Sequence, residues 1–126
     1  MKTKIEVKEF RLKLYPEDFY NVKRFYEYEL ELPIVHQWDR DESKGVMFDV
    51  YGTVLELIWK KEKVYKPIVG SDVSWRVPDV WKLFQLFKNK PYIARNLRDN
   101  PWGDTSFHIE DPEGFKITFF SKTKNV

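Results

Sequence analysis

Few side chains in these 126 residues can move a proton or hold an ion: two histidines, His36 and His108, no cysteine, and scattered carboxylates. The missing cysteines exclude a thiol nucleophile, a disulfide framework, a Cys-ligated zinc and an iron–sulfur cluster. Period-two alternation in the apolar runs sorts the other candidates by face. Leu12, Leu14, Leu55, Leu57, Phe107, Ile109, Ile117 and Phe119 share one parity and are expected to pack in cores. The opposite parity carries Arg11, Lys13 and Tyr15; Val54, Glu56 and Ile58; Asp72, Ser74 and Arg76; Ser106 and His108; and Lys116, Thr118 and Phe120. On that face Glu56, together with His108 or Asp72, could carry acid–base chemistry, since a carboxylate and an imidazole supply complementary proton donors and acceptors. Trp38 and Trp102 stand beside turns, where stacking on a flat ligand accounts for an aromatic better than core packing does. Trp59 and Trp81 follow the apolar stripes and belong to the cores.

The elements that must position these residues come in two copies. Ile5–Tyr15 alternates as a strand, Pro16-Glu17-Asp18 opens a helix with Phe19, Val22, Phe25, Tyr26 and Leu30 at helical spacing, and Ile34–Trp38, Val46–Tyr51 and Thr53–Lys60 read as strands. An acidic loop, 39–45, separates the first two of these three strands. Beyond a connector at 61–71, which holds Pro67 and Gly70, the order recurs. Val73–Val77 is a strand, Pro78-Asp79 opens a helix with Val80, Leu83, Phe84 and Phe87 on one face, and strands are expected at Tyr92–Leu97, Ser106–Glu110 and Phe115–Ser121. The turns Asp99-Asn100-Pro101-Trp102-Gly103 and Asp111-Pro112-Glu113-Gly114 separate the last three. The reading is an α+β fold of two βαβββ modules, about 5–60 and 72–122, within a single domain of 126 residues. Each helix covers one face of its own sheet, leaving a curved, barrel-like mixed sheet to enclose a cavity with the helices outside.

Composition narrows the function. Lysine and arginine number 22 against 20 aspartates and glutamates, a formal charge of +2, too small a surplus for a nucleic-acid groove. No apolar run reaches membrane-spanning length and the charged start, Met1-Lys2-Thr3-Lys4, lacks a signal-peptide core, so no membrane partner and a cytoplasmic location are expected. Aromatic residues make up 17% of the chain, enough to fill two cores and still line a hollow.

The stretch Pro101-Trp102-Gly103-Asp104-Thr105-Ser106-Phe107-His108-Ile109-Glu110-Asp111-Pro112-Glu113-Gly114-Phe115-Lys116-Ile117-Thr118-Phe119 resembles the second-module signature of the glyoxalase, bleomycin-resistance and extradiol-dioxygenase (vicinal oxygen chelate) superfamily. Asp18 with Phe25-Tyr26, and Gly52-Thr53-Val54-Leu55-Glu56-Leu57, agree with the first module. In metal-dependent members each module supplies one ligand from its first strand and one carboxylate from its last. By position these slots fall on Arg11, Glu56, Asp72 and Thr118, of which Glu56 alone is a standard match. A guanidinium has no lone pair to donate and repels a cation, so neither a resident metal nor another cofactor is expected. Arg11 is expected to take the vacated place and pair with Glu56, Asp72 or both, the alternative being that these charges point to water on an open sheet face.

The resemblance implies a protein that binds a small organic molecule, planar or aromatic, as a homodimer. The expected ligand-contacting residues are Arg11, Trp38, Glu56, Asp72, Arg76, Trp102, His108 and Thr118. The alternatives are a superfamily enzyme (lyase, isomerase or dioxygenase) with an atypical metal or with Glu56 and His108 as catalytic residues, and a non-catalytic module whose cavity is filled by its own side chains.

Overall fold

The computed structural model describes residues 4–63, 65–66 and 69–124, so the expected initial Met1-Lys2-Thr3 and Pro67 of the connector lie outside the described residues. The chain divides into two compact units, Met1–Lys66 and Pro67–Val126, with the boundary inside the expected connector. Each unit holds one helix and one four-stranded sheet, which gives the α+β architecture of paired βαβββ modules. Among the described residues no helix is long and apolar enough to cross a membrane.

The first unit runs β1 (Arg11–Leu14), α1 (Phe19–Arg24), a π-helical turn (Phe25–Glu29), β2 (Ile34–Asp39), β3 (Ser43–Val50) and β4 (Thr53–Lys60). Its strands lie in the order β1-β4-β3-β2, with β1 parallel to β4 and the others antiparallel. Asp18 caps α1 by accepting from the Asn21 amide at 3.3 Å. The helix then widens, Leu30 N–H reaching the Phe25 carbonyl at 3.1 Å, and the consecutive aromatics Phe25 and Tyr26 are both buried. Leu14, Phe19, Val22, Val46, Phe48, Leu55 and Leu57 are buried with them; of the residues that strand parity assigned to this core, Leu14, Leu55 and Leu57 are buried and Leu12 is half-exposed. The β3–β4 hairpin turns through Tyr51 and Gly52 at φ of 50° and 78°, the left-handed pair that a two-residue hairpin needs.

The second unit repeats this plan as β5 (Asp72–Arg76), α2 (Val80–Phe87), β6 (Ile93–Asp99), β7 (Asp104–Glu110) and β8 (Lys116–Lys122), in the order β5-β8-β7-β6. Asp79 caps α2 by accepting from the Lys82 amide at 3.0 Å. The Ser121 hydroxyl on β8 accepts from Val80 N–H at 3.0 Å and donates to the Val77 carbonyl at 2.6 Å, pinning the helix start to the sheet. One face of the sheet packs on α2 through Phe84, Phe87, Phe107 and Phe119, whose ring centroids lie 5.2 to 6.1 Å apart. Asp111 Oδ1 accepts from the amides of Glu113 and Phe115 at 2.9 and 3.0 Å and closes the β7–β8 turn.

Three expectations are corrected. The first strand begins at Arg11 rather than Ile5: Ile5 and Val7 alternate but remain 83% and 71% exposed, with no ladder beside them. Periodicity alone cannot supply a neighbouring strand. The acidic loop shrinks because β3 starts at Ser43, where Lys44 and Gly45 pair with Asp39 and Trp38. In β4 both parities are covered, for Glu56 and Ile58 are 4% and 7% exposed, so this face of the first sheet is not an open hollow at those positions.

Candidate functional site

The face of the second sheet turned away from α2 carries a pocket of about 450 Å³. Four strands contribute to it in register. Ser74, Thr118, His108 and Arg95 lie side by side across β5, β8, β7 and β6, and Phe120, Ser106 and Arg98 form the next row. Asp72 and Lys116 close one end, and Asn100 and Trp102 from the β6–β7 turn, with Asp104 at the start of β7, close the other.

Arg95 and Arg98 reach this face together through an irregularity. They are three residues apart, a spacing that sends side chains to opposite faces of a regular strand. On β7 their partners His108 and Ser106 are only two apart, so β6 holds an extra residue between them, and both arginines line the pocket.

The lining side chains hold one another. Arg95 donates from Nη2 to Ser106 Oγ at 2.6 Å, from Nη1 to the carbonyls of Asn96 and Ser106 at 3.1 and 3.2 Å, and from Nε to His108 Nδ1 at 3.3 Å. Asn100, buried, donates to Asp104 Oδ1 at 2.8 Å and to Ser106 Oγ at 2.9 Å, while its Oδ1 accepts from Arg98 Nε at 3.1 Å. Burial pushes the His108 pKa below its ordinary 6.5, and the cations Lys116, Arg95 and Arg98 push it further, against the opposing pull of Glu110. Burial, then the neighbouring Arg98, lowers Arg95 as well, with Asp104 opposing. An arginine nitrogen can only donate, so His108 Nδ1 is the acceptor and Nε2 carries the imidazole proton.

Of the residues singled out in the sequence, Asp72, Trp102, His108 and Thr118 meet in this pocket. Trp102 is 71% exposed on the turn, free to stack, and Asp72 pairs with Lys116 at 3.4 Å. Arg76 is exposed, one row along from Ser74 on β5, and does not line the pocket. Arg11, Trp38 and Glu56 belong to the first unit. There Arg11 approaches Glu56 only to 3.8 Å, while its Nε and Nη2 both lie 3.0 Å from Glu9 Oε2, so the expected arginine fork is spent mainly on Glu9 and leaves Glu56 Oε1 buried without a hydrogen bond. Trp38 lies flat on Gly45 across the β2–β3 ladder and donates from Nε1 to Ser43 Oγ at 3.0 Å, a packing role.

Sequence reasoning missed Arg95, Arg98 and Asp104, which carry charge into the pocket, and Asn100, which links Arg98 to Asp104 by hydrogen bonds. The one signal for the arginines was the Arg95-Asn96-Leu97-Arg98 spacing, which breaks the two-residue period of the strand in which it sits. Among the described residues, no three His, Asp or Glu side chains converge as metal ligands.

A family model described as the Glyoxalase/Bleomycin resistance protein/Dioxygenase superfamily matches residues 10–119. No curated protein sequence matches the chain significantly. Solved structures with the same fold include a lactoylglutathione lyase from Agrobacterium tumefaciens, 19% identical with a TM-score of 0.70 over 93% of this chain and 95% of that one. TioX from Micromonospora sp. ML1 is 16% identical with a TM-score of 0.71, over 93% and 100% of the two chains. Glyoxalase I of Leishmania major is 20% identical with a TM-score of 0.69, over 92% and 87%.

Proposed function

Because the chain belongs to the glyoxalase, bleomycin-resistance and dioxygenase superfamily, a fold that hosts both binding proteins and enzymes, we propose from its own side chains that it binds a small organic molecule in the second-unit pocket without a resident metal. The observation that carries this reading is the pocket itself: about 450 Å³, floored by Phe120, edged by the exposed Trp102, and lined by polar groups whose network leaves donors turned to the space. Trp102 and Phe120 favour a ligand with a planar or aromatic part.

The residues at the family's metal positions do not fit a divalent ion. Asp72 is engaged by Lys116, Thr118 offers a weak neutral oxygen, and Glu56 has the Arg11 guanidinium 3.8 Å from its carboxylate. A set of two carboxylates, each with a cation beside it, is a poor match to the several free lone pairs that such an ion requires. Binding is favoured over acid–base catalysis at His108 for a similar reason. Its one lone pair faces Arg95, so the ring offers an N–H donor at Nε2 and no base.

Titrating the protein with a panel of planar aromatic compounds while following tryptophan fluorescence tests this. We expect at least one compound to alter the emission saturably, and the change to vanish in Trp102→Ala and in Ser74→Trp, which places a bulky ring on an exposed edge-strand position of the pocket. Responses that survive both substitutions would remove the pocket from consideration.

A further inference from the structure

We infer that the ligand carries a carboxylate, held by Arg98 and Arg95 beside its aromatic part. This inference rests on the pocket being the binding site. The lining holds three cationic side chains, Arg95, Arg98 and Lys116, and two anionic ones, Asp72 and Asp104. Lys116 and Asp72 pair with each other at 3.4 Å, and Asp104 takes the Asn100 amide at 2.8 Å. Among the described residues neither guanidinium has a carboxylate within ion-pairing distance, although the two arginines face one pocket and repel each other. Such an arrangement is stabilised by an anion placed between them.

The hydrogen bonds show what is available to that anion. Arg98 uses Nε on Asn100, its terminal nitrogens make no hydrogen bond among the described residues, and a guanidinium edge matches the two oxygens of a carboxylate. His108 adds Nε2–H, because Arg95 holds its other nitrogen as acceptor. Cationic side chains outnumber anionic ones in the lining, so a neutral ligand would leave a positive charge unmatched. The charge also sets the ligand's valence. Three positive and two negative side chains leave a single positive charge, which a carboxylate balances and a phosphate dianion exceeds. The bulge in β6 is the structural element that delivers this chemistry, since without it Arg95 and Arg98 would face opposite ways.

Isothermal titration with 2-naphthoate, 2-naphthamide and 2-naphthyl phosphate separates the possibilities, because the three share a ring system and differ in charge. The naphthoate is expected to bind about tenfold more tightly than the amide, the scale of one charge-assisted hydrogen-bonded contact. That preference should shrink in Arg98→Gln, recover partly in Arg98→Lys, and decline in wild type as salt is raised. Equal affinity for naphthoate and naphthamide overturns the carboxylate assignment and leaves the pocket reading standing. Tighter binding of the phosphate overturns the monoanion assignment. Failure of all three to bind contradicts the pocket reading and the carboxylate with it. An undiminished preference in Arg98→Gln, checked by an unchanged melting curve, removes Arg98 from the assignment, and the salt dependence in wild type remains decisive if that variant does not fold.

Discussion

Arg95 donates from Nε to Nδ1 of His108 across 3.3 Å, and at this half-buried imidazole burial first, then the cations Lys116, Arg95 and Arg98, hold the pKa below its ordinary 6.5 against the pull of Glu110. The pair joins two neighbouring strands, β6 and β7, at the row where Thr118 and Ser74 continue across the sheet. It therefore links the strand ladder to the state of the pocket.

The first prediction is a pH dependence whose sign follows from that pair. Unfolded, His108 titrates near its ordinary 6.5, whereas in the fold burial first, then Lys116 and Arg95, hold it lower, with Glu110 opposing. Between the two values the unfolded chain binds a proton that the folded chain does not. The stability contribution is complete above 6.5 and is lost as the pH falls through the folded value. Chemical denaturation across this range should show stability falling on acidification, with a shallower fall in His108→Gln. An identical pH dependence in both proteins would contradict the assignment.

Ser121 supports a second prediction. Its hydroxyl accepts from the first α2 amide, Val80 N–H, and donates to the Val77 carbonyl in a buried setting. Ser121→Ala should cost about 1–3 kcal/mol by stranding a buried donor, measured by urea denaturation. A loss near zero would mean that the helix start finds another acceptor.

Gly45 is required by a ring, not by its backbone. An added Cβ would fall within the Trp38 indole, which is itself fixed to Ser43 by a 3.0 Å hydrogen bond. Gly45→Ala should destabilise the protein by about 1–3 kcal/mol and shift tryptophan emission. In a Trp38→Leu background most of the penalty should disappear, and a penalty unchanged in that background would place the conflict elsewhere.

Arg11 and Glu56 give a coupling prediction. At 3.8 Å, with Arg11 partly exposed and closer to Glu9, a double-mutant cycle of Arg11→Ala and Glu56→Gln should return less than about 1 kcal/mol. Glu56→Gln alone should be tolerated, since the buried Oε1 accepts no hydrogen bond that the substitution could break. A large coupling energy would show that this pair stands in structurally for a bound cation. In the same preparations, protein purified without chelators should contain less than one equivalent of Zn, Ni, Mn or Fe, and its melting temperature should not respond to EDTA. Stoichiometric metal would overturn the metal-free reading.

Strand parity and helix caps made the modules legible in the sequence. Leu55, Leu57, Phe107, Ile109, Ile117 and Phe119 are buried where alternation put them, and Asp18 and Asp79 cap the helices that follow them. On the strands, the site was legible only where the ladder is regular, while Trp102 was legible from its turn. His108 and Thr118 sit on uninterrupted ladder positions and met in the pocket as their parity implied. Arg95 and Arg98 did not declare themselves, because a bulge changes the face of every residue beyond it and depends on the partner strand. The setting of Trp38 was not legible for another reason: its ring lies over the position where Gly45, on the next strand, has no side chain.

The central claim, a ligand pocket on the open face of the second sheet, is tested most directly by amide and indole chemical-shift mapping of the labelled protein with 2-naphthoate. The account predicts shifts concentrated on Asp72–Ser74, Arg95–Arg98, Trp102–His108 and Lys116–Phe120, including the Trp102 indole. Shifts confined to residues of the first unit, or none at saturating ligand, would contradict it.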